Sequence, residues 1–457
     1  MNVQELHYLQ FFPSFQNKTI HDQNMKIAFF NRVITPETGV DLAGYGIGWH
    51  SVMKLDDLHL CGLLVDDGES KIFLASFDLL GLDEWFIRKI RKVCADKLQI
   101  SEDSVLLSCT HTHNGPETRS MAGHPEQLNR SYLDWLETAI LEEVSKRTDF
   151  QECDVAFYSL RIDENRNRRY VTADNLASFL PHRREMIPLS NEFADKELGI
   201  LCFFKPEDKR PVYVIGNYAA HPLAGHGPGL GGLRISADFP GVFREYIRNE
   251  TGAECMFISG AAGDLVPKED ELGSDAFRQM GTRLGKAALG AIIDAQRNPG
   301  RFVMKNARVG ALTQSFTVPL RKKYCNQPGK LPEAYLNQDE VTLEIQCVAI
   351  GDVCFVGVPG ELCCELGQEI KWHSPFRRTF IAYDATAYFS YICPGNFLVA
   401  GGYEASSQRF SARGGLSLLN TATNVLYELR EKLFPDVNQD EPYPDYVQLP
   451  LVNLSPN

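Results

Sequence analysis

Two segments of the chain each place a histidine after an apolar, strand-like run and before residues that end a strand. Residues 106–116 read LLSCTHTHNGP, and residues 217–222 read NYAAHP. Proline has no backbone N–H to give to a neighbouring strand, so it ends a central strand where it stands. The sequence therefore predicts that two buried strands each deliver a histidine at the end of a sheet.

The first of these segments contains a His-x-His motif. Residues two apart in an extended chain project from the same face, so we expect His111 and His113 to lie side by side. Two imidazoles at a strand end suit a metal ion or an acid/base pair. The same short motif is also typical of one core histidine beside one exposed histidine, so the motif alone decides nothing.

Composition and charge argue against several classes of function. The 457 residues carry a formal net charge of −13, whereas nucleic acids and anionic membranes are bound by basic patches. No apolar run approaches the roughly 18 residues of a spanning helix, so we expect no membrane insertion. The twelve cysteines include no CxxC pair, and residues 1–24 show no signal-peptide pattern. We interpret the cysteines as reduced and the protein as cytoplasmic.

The order of apolar runs and helical periods predicts an α/β fold with mixed β-sheets layered with flanking helices. Hairpins are indicated where two apolar runs meet at a turn, and amphipathic helices where the apolar period is 3.6 residues. The predicted hairpins cover 58–77, 199–218 and 340–358, and the predicted helices include 83–98, 130–146, 274–296 and 416–433.

The chain shows no internal repeat, no low-complexity linker and no sharp change in composition. These features favour a single catalytic-type domain over residues 26–434. Residues 1–25 would form an N-terminal arm, and the proline-rich residues 435–457 a C-terminal tail.

Three further segments carry polar residues that are suited to chemistry. Residues 259–267 form a bend of small residues around Asp264, and small residues allow close backbone approach. Glu361 stands at a predicted strand-to-helix junction, where helix capping is the ordinary role of a carboxylate. Residues 164–169 form a basic cluster around Arg166, which is either a solvated turn or an anchor for an anionic group.

Several of these blocks together resemble the catalytic domain of neutral/alkaline (non-lysosomal) ceramidases and their broader relatives. Residues 110–116 are similar to the family's Thr-His-Thr-His-Ser-Gly-Pro motif, 217–222 to its second histidine motif, and 263–267 to its Gly-Asp-x-x-Pro turn. Further matches are found at 44–46, 58–80, 359–361 and 403–407. Each match is weak by itself, but their shared order over residues 26–415 is specific for the superfamily.

The resemblance implies a zinc site, since that family holds one zinc ion with two histidines, a glutamate and a tyrosine. Carried over, the Zn2+ ligands in this chain are His111, His221, Glu361 and Tyr391, with Tyr388 as the less favoured tyrosine. Two imidazoles, a carboxylate and a phenolate leave room for a substrate oxygen or a water.

The resemblance also implies roles around the metal. His113 or Asp264 would handle protons as the catalytic acid/base, and Arg166 would contact the substrate, with Arg168 nearly as suitable. One position departs from the family: Val266 stands where ceramidases have a serine nucleophile. Valine cannot attack a carbonyl, so hydrolysis here would use a zinc-activated water.

Together with the resemblance, these observations predict a zinc-dependent hydrolase that acts on a small soluble substrate. The resemblance alone implies an amide bond as the favoured target. A glycosidic or ester bond is the alternative within the same class. A non-catalytic binding protein on the same scaffold is the alternative from another class, and Val266 is the residue that favours it. A small-molecule substrate is the one partner that the sequence indicates, and nothing in it indicates an oligomeric state.

Overall fold

The computed structural model describes residues 25–44, 48–120, 128–146, 149–171, 177–178, 187–188, 193–223, 233–268, 275–305 and 307–437. Nearly all of the predicted N-terminal arm and most of the predicted C-terminal tail lie outside the described residues. Part of the 44–46 block lies outside them as well.

The secondary structure elements are numbered here in chain order. The strands are β1 (Met25–Val33), β2 (Met53–Lys54), β3 (His59–Asp66), β4 (Lys71–Phe77), β5 (Val105–Cys109), β6 (Gln151–Arg161), β7 (Asn165–Asn167), β8 (Tyr170–Val171), β9 (Ala177–Ser178), β10 (Ile187–Pro188), β11 (Glu197–Phe204), β12 (Pro211–Tyr218), β13 (Arg234–Ile235), β14 (Glu254–Ser259), β15 (Leu265–Pro267), β16 (Val309–Pro319), β17 (Glu340–Ile350), β18 (Val353–Gly357), β19 (Glu361–Leu362), β20 (Arg378–Ala382) and β21 (Tyr391–Ile392). The helices are α1 (Glu84–Leu98), α2 (Arg130–Ser145), α3 (Asp238–Thr251), α4 (Ala276–Arg297), α5 (Pro299–Phe302), α6 (Cys364–His373), α7 (Gly395–Ala400), α8 (Tyr403–Ser407) and α9 (Gly414–Leu433).

Two mixed sheets form the centre of the fold. The larger sheet has eight strands in the order β14-β12-β11-β6-β1-β3-β4-β5, and the smaller has four in the order β16-β17-β18-β20. The pairs β12–β14, β4–β5 and β18–β20 are parallel, and the remaining pairs in these two sheets are antiparallel. This mixture confirms the predicted fold class.

The two sheets pack face to face and helices cover their outer faces. Leu63 and Ile215 of the larger sheet share one apolar cluster with Phe355 and Phe380 of the smaller sheet. Helices α1 and α2 cover one half of the larger sheet, and α3 and α4 the other half. Helices α6 and α9 cover the smaller sheet. Strands buried on both faces explain the near-continuous apolar runs in the sequence.

The larger sheet curls until its two ends approach each other. The hydroxyl of Ser76, on β4, donates a 2.6 Å hydrogen bond to the carbonyl of Phe257, on β14. Strands β12 and β14 lie at the opposite end of the strand order from β4 and β5. The curl therefore brings the carboxyl ends of β5 and β12, each of which leads to a histidine, into the same region.

No helix among the described residues is both long enough and apolar enough to cross a membrane. The sequence-predicted helices lie close to α1, α2, α4 and α9. Strand β16, by contrast, was not predicted, because its polar and apolar residues do not follow a clean alternation.

A buried ion pair fixes the end of β4 next to the first histidine segment. Asp78 accepts hydrogen bonds from Arg244 Nη1 (2.9 Å), Arg244 Nη2, the Thr110 hydroxyl (3.2 Å) and the His59 backbone N–H (2.8 Å). Both charged side chains are buried. The pair thus ties α3 to the strand ends that precede His111.

We predict that Asp78→Ala lowers the free energy of unfolding by about 3–5 kcal/mol, because it leaves the Arg244 guanidinium buried without its carboxylate. Urea unfolding followed by circular dichroism measures the change. The control is Asp275→Ala, which breaks an exposed ion pair with Arg278 and should cost less than about 1 kcal/mol. Equal losses in the two variants would contradict the prediction.

Candidate metal centre

His111 reaches the centre through a backbone conformation that side chains rarely adopt. Its φ is +68°, in the left-handed region that costs most residues free energy. Backbone hydrogen bonds from Thr110 to Phe77 (2.8 Å) and from His111 to Leu79 (2.9 Å) hold the segment in place. The Ser259 hydroxyl also donates to the Thr110 carbonyl (2.7 Å). The conformation is therefore maintained by tertiary contacts.

His221 is delivered by β12, and the bend that contains β15 holds it. The backbone N–H of His221 donates to the carbonyl of Leu265 (3.0 Å), and its Nδ1 lies 3.0 Å from the same oxygen. Two bonds to one carbonyl fix both the backbone and the ring. Proline at position 222 then ends the segment, as the sequence predicts.

Side-chain atoms of three buried residues converge on one point. His111 Nε2 lies 3.5 Å from Glu361 Oε2, and His221 Nε2 lies 3.3 Å from the same oxygen. His113 Nε2 is 3.3 Å from His111 Nε2. The ligand atoms of the three histidines all lie within 4.8 Å of one another, so this group could hold a metal ion.

The outer nitrogens of the two buried rings fix their tautomers. His111 Nδ1 lies 2.7 Å from Asp384 Oδ2 and 3.0 Å from the Leu80 carbonyl, and His221 Nδ1 faces the Leu265 carbonyl. These acceptors require a proton on Nδ1, which leaves a lone pair on each Nε2 when the ring is neutral. Two lone pairs and a carboxylate then face one another, an arrangement that a cation stabilises.

The local charges shift the pKa values of the group in opposite directions. Burial disfavours the charged form of His111, but the carboxylates of Glu361 and Asp384 outweigh it and raise its pKa to about 9. Burial, with a contribution from the Arg168 charge, lowers the pKa of His221 to about 4. Burial opposes ionisation of Glu361, yet His111 and His221 outweigh it and hold its pKa well below the usual range. In the absence of a metal, one proton on His111 therefore supplies the positive charge that the group needs.

Two tyrosines lie near Glu361, the residue on which the two buried histidines converge. Glu361 on β19 is the register partner of Tyr391 on β21 in a short parallel pair. The Tyr388 hydroxyl donates a 2.6 Å hydrogen bond to Glu361 Oε1, whereas the Tyr391 hydroxyl accepts one from Arg168 Nη2 (2.9 Å). Both tyrosines border the same cavity, and which of them would bind a metal stays a prediction.

Of the two candidate arginines, Arg168 reaches the centre. Besides Tyr391 it contacts Glu404 Oε1 through Nε (2.8 Å) and the Gly263 carbonyl through Nη2 (2.9 Å). Arg166, the favoured substrate-binding residue, pairs across two strands with Val266. Neither arginine is among the residues that border the cavity, so the substrate-binding role stays a prediction for both.

Asp264 is buried, and both of its carboxylate oxygens accept hydrogen bonds from other parts of the protein. Its Oδ1 accepts the backbone N–H of Cys364 (2.7 Å), and its Oδ2 accepts Asn167 Nδ2 (2.8 Å). Asp264 does not border the cavity. Its geometry suits the task of holding the β15 bend against the start of α6. Its predicted role in proton transfer stays untested.

The cavity beside the histidines is small and mostly polar. Its volume is about 160 Å³, and it is lined by Gly44, Leu80, His113, Glu117, Arg119, Glu361, Tyr388, Ser390, Tyr391, Tyr403, Ser407 and Arg409. His113 and Glu361 thus connect the convergent group to space that a small molecule can enter.

Three of the polar residues near the centre were not found from the sequence. Asp384 follows the buried strand β20, and this position after a strand is a signal that could have identified it. Glu117 and Arg119 form a buried ion pair (Nη2–Oε2 2.7 Å) two residues apart. No local motif marks that pair.

The fold is that of neutral ceramidases. The structure of neutral ceramidase from Pseudomonas aeruginosa matches with a TM-score of 0.72 and 18% sequence identity, over 90% of this chain and 75% of that chain. The structure of a ceramidase complexed with C2 matches with a TM-score of 0.72 and 16% identity, over 90% of this chain and 76% of that chain. No protein-family model and no curated protein sequence matches the chain. The structural matches confirm the resemblance at the level of the fold.

We predict that Gly263→Ala destabilises the protein by about 1–3 kcal/mol, because an added Cβ has no space. It would lie 2.8 Å from the Glu361 carbonyl oxygen and 2.9 Å from that of Leu362. A Cβ at Gly300 meets nothing within 4 Å, so Gly300→Ala is the control and should change stability by less than about 0.5 kcal/mol. Urea unfolding of both variants tests this, and an unchanged Gly263→Ala would contradict the close approach.

Proposed function

We propose that this protein is a zinc-dependent hydrolase of the ceramidase-like superfamily that cleaves an amide bond in a small polar substrate. The observation that carries the proposal is the convergence of His111 Nε2 and His221 Nε2 on one carboxylate oxygen of Glu361. The shared fold of the two ceramidase structures supports the hydrolase class.

The chemistry of the donor set fits zinc. Imidazole nitrogens and a carboxylate oxygen are ligands that Zn2+ takes in catalytic sites, where a position is left open for water or substrate. His111, His221 and Glu361 would hold the ion, and Tyr391 is the proposed fourth ligand. When bound, zinc supplies Lewis acidity that polarises a carbonyl and lowers the pKa of a water to about 7.

The protein's own residues supply the remaining functions. Asp384 holds the His111 ring so that Nε2 faces inward, as carboxylates do for metal-bound histidines. His113 borders the cavity, and its neutral imidazole can accept a proton from a water and return it to a leaving group. This position favours His113 over Asp264 as the acid/base. Val266 has no nucleophilic atom, which favours water as the nucleophile.

The substrate is proposed to be small and polar because of the cavity. Its volume of about 160 Å³ and its Glu117, Arg119 and Arg409 side chains suit a polar group better than a long acyl chain. A cytoplasmic location is part of the proposal, and twelve buried free cysteines support a reducing compartment. A non-catalytic binder is the second candidate, favoured by Val266 alone.

We predict that the purified wild type contains about one zinc ion per chain and that His111→Ala and His221→Ala lose it. Mass spectrometry of the metal content, with circular dichroism to verify folding, makes the measurement. His373→Ala, which removes an exposed histidine, is the matched control and should keep the zinc. A wild type that takes up no metal after incubation with zinc would end the hydrolase proposal.

We also predict that amide hydrolysis disappears with a chelator and returns with added zinc. His113→Ala should lower kcat by roughly 10²–10⁴, the usual contribution of a positioned acid/base, while its zinc content remains that of the wild type. The screen compares amides, esters and glycosides. Hydrolysis of glycosides alone would refute the amidase assignment, and zinc binding without any turnover would favour the non-catalytic binder.

A further inference from the structure

Arg409, which borders the cavity, pairs with no carboxylate among the residues that the structure describes. Arg409 is half-buried and lies in the same cavity lining as Glu361 and His113. In the part of the chain that the structure describes, its guanidinium forms no ion pair, and its buried Nε has no hydrogen-bond partner. A buried donor without a partner costs free energy. A ligand that accepts from this guanidinium would recover that cost.

The guanidinium is held in a defined orientation by an aromatic ring. Its central carbon lies 4.4 Å from the centre of the Tyr324 ring, a distance typical of a cation–π contact. The Tyr324 hydroxyl in turn donates to the Ser406 carbonyl, and the Arg321 backbone N–H donates to the Arg409 carbonyl (2.8 Å). A guanidinium that lies over an aromatic ring can still donate its N–H groups to a planar anion.

Further positive charges surround the same ring. The Arg321 guanidinium carbon is 5.7 Å and the Lys323 ammonium 4.5 Å from the ring centre of Tyr324. Burial would raise the pKa of Tyr324, but Lys323, Arg409 and Arg321 outweigh burial and lower it. This local positive charge contrasts with the net charge of −13 over the whole chain. Although Arg321 and Lys323 do not border the cavity, they form a positively charged region next to Arg409, which does.

Arg119, the other arginine that borders the cavity, has its N–H donors occupied and is less able to bind an anion. Arg119 donates to both carboxylate oxygens of Glu117, from Nε (2.8 Å) and from Nη2 (2.7 Å). Its charge is neutralised and its donor edge is occupied. The difference between the two side chains singles out Arg409 as the cation that can bind a ligand.

We infer that the substrate carries an anionic group, a carboxylate, sulfate or phosphate, and that Arg409 binds it in the cavity that contains His113 and Glu361. The inference rests on the proposed function, since it names the substrate class of the same site. Arg409 acts as a specificity-determining residue: it selects the anion and contributes nothing to the bond cleavage itself. A neutral lipid would leave this guanidinium unpaired.

Calorimetric titration of the whole protein with succinate, sulfate and phosphate, against neutral succinamide, tests the inference. The ionic strength is held at about 0.1 M, because exposed charges are screened by salt. We expect at least one anion to bind at millimolar concentration, succinamide not to bind, and Arg409→Gln to weaken the anion roughly tenfold or more. Arg409→Lys should weaken it less. The three anions distinguish a carboxylate from a sulfate or phosphate substrate.

The matched control is Arg301→Gln. Arg301 is also stacked on an aromatic ring, 5.1 Å from the centre of Phe302, but it does not border the cavity. This variant loses the same charge and should bind the anion as the wild type does. Failure of all three anions to bind, or equal binding by Arg409→Gln and the wild type, would overturn the inference.

The same variants separate this inference from the hydrolase proposal. If anion binding depends on Arg409 but no amide is hydrolysed, the anion site stands and the hydrolase proposal fails. If amides with and without an anionic group are hydrolysed with equal kcat/KM, the hydrolase proposal stands and the anion site is refuted. Thermal unfolding of Arg409→Gln verifies that the variant is folded.

Discussion

The contacts around the candidate site depend on one arrangement, in which two buried imidazoles converge on one buried carboxylate. Glu361 is 3% exposed, and His111 and His221 are 1% and 0% exposed, so water offers these groups little stabilisation. Burying such groups is costly unless each is paired and hydrogen-bonded. Asp384 and Tyr388, from the segment between β20 and β21, and the Leu265 carbonyl, from β15, supply hydrogen bonds to these groups. A proton on His111 or a metal ion then balances the negative charge.

Long-range packing makes this convergence possible. The histidines follow β5 and β12, which are far apart in the strand order of the larger sheet. Curling of that sheet brings its ends together, and the Ser76 bond to Phe257 closes the gap. Glu361 comes from a separate segment that crosses the bend at Gly263, where only a residue without Cβ fits. The site is thus a product of the closed architecture, and its geometry depends on packing distant from His111, His221 and Glu361.

Local sequence patterns predicted those candidate site residues that stand directly before or after a single strand. The sequence shows histidines after apolar runs and a glutamate at a strand-to-helix junction. These residues can be recognised because proline and glycine residues stand next to them and end the strands. Asp384 also follows a buried strand, β20, and could be recognised in the sequence in the same way. No local sequence pattern indicates the curl of the larger sheet. Arg166 and Arg168 illustrate the limit: two residues apart on an extended segment, they are alike in sequence. Contacts with residues distant in sequence, which are Glu404, Tyr391 and the Gly263 carbonyl, hold Arg168 in the interior.

Val266 carries no nucleophilic atom, so bond cleavage at this site would need another nucleophile. A buried array of imidazoles and carboxylates costs free energy to hold in place. In this array Asp384 contacts the outer nitrogen of His111, and the inner nitrogen of His111 faces Glu361. Under the proposed function water would be the nucleophile, and a bound metal ion and His113 would serve as the electrophile and the base. The buried array supports the proposed hydrolase, whereas Val266 is the residue that favours a binding protein.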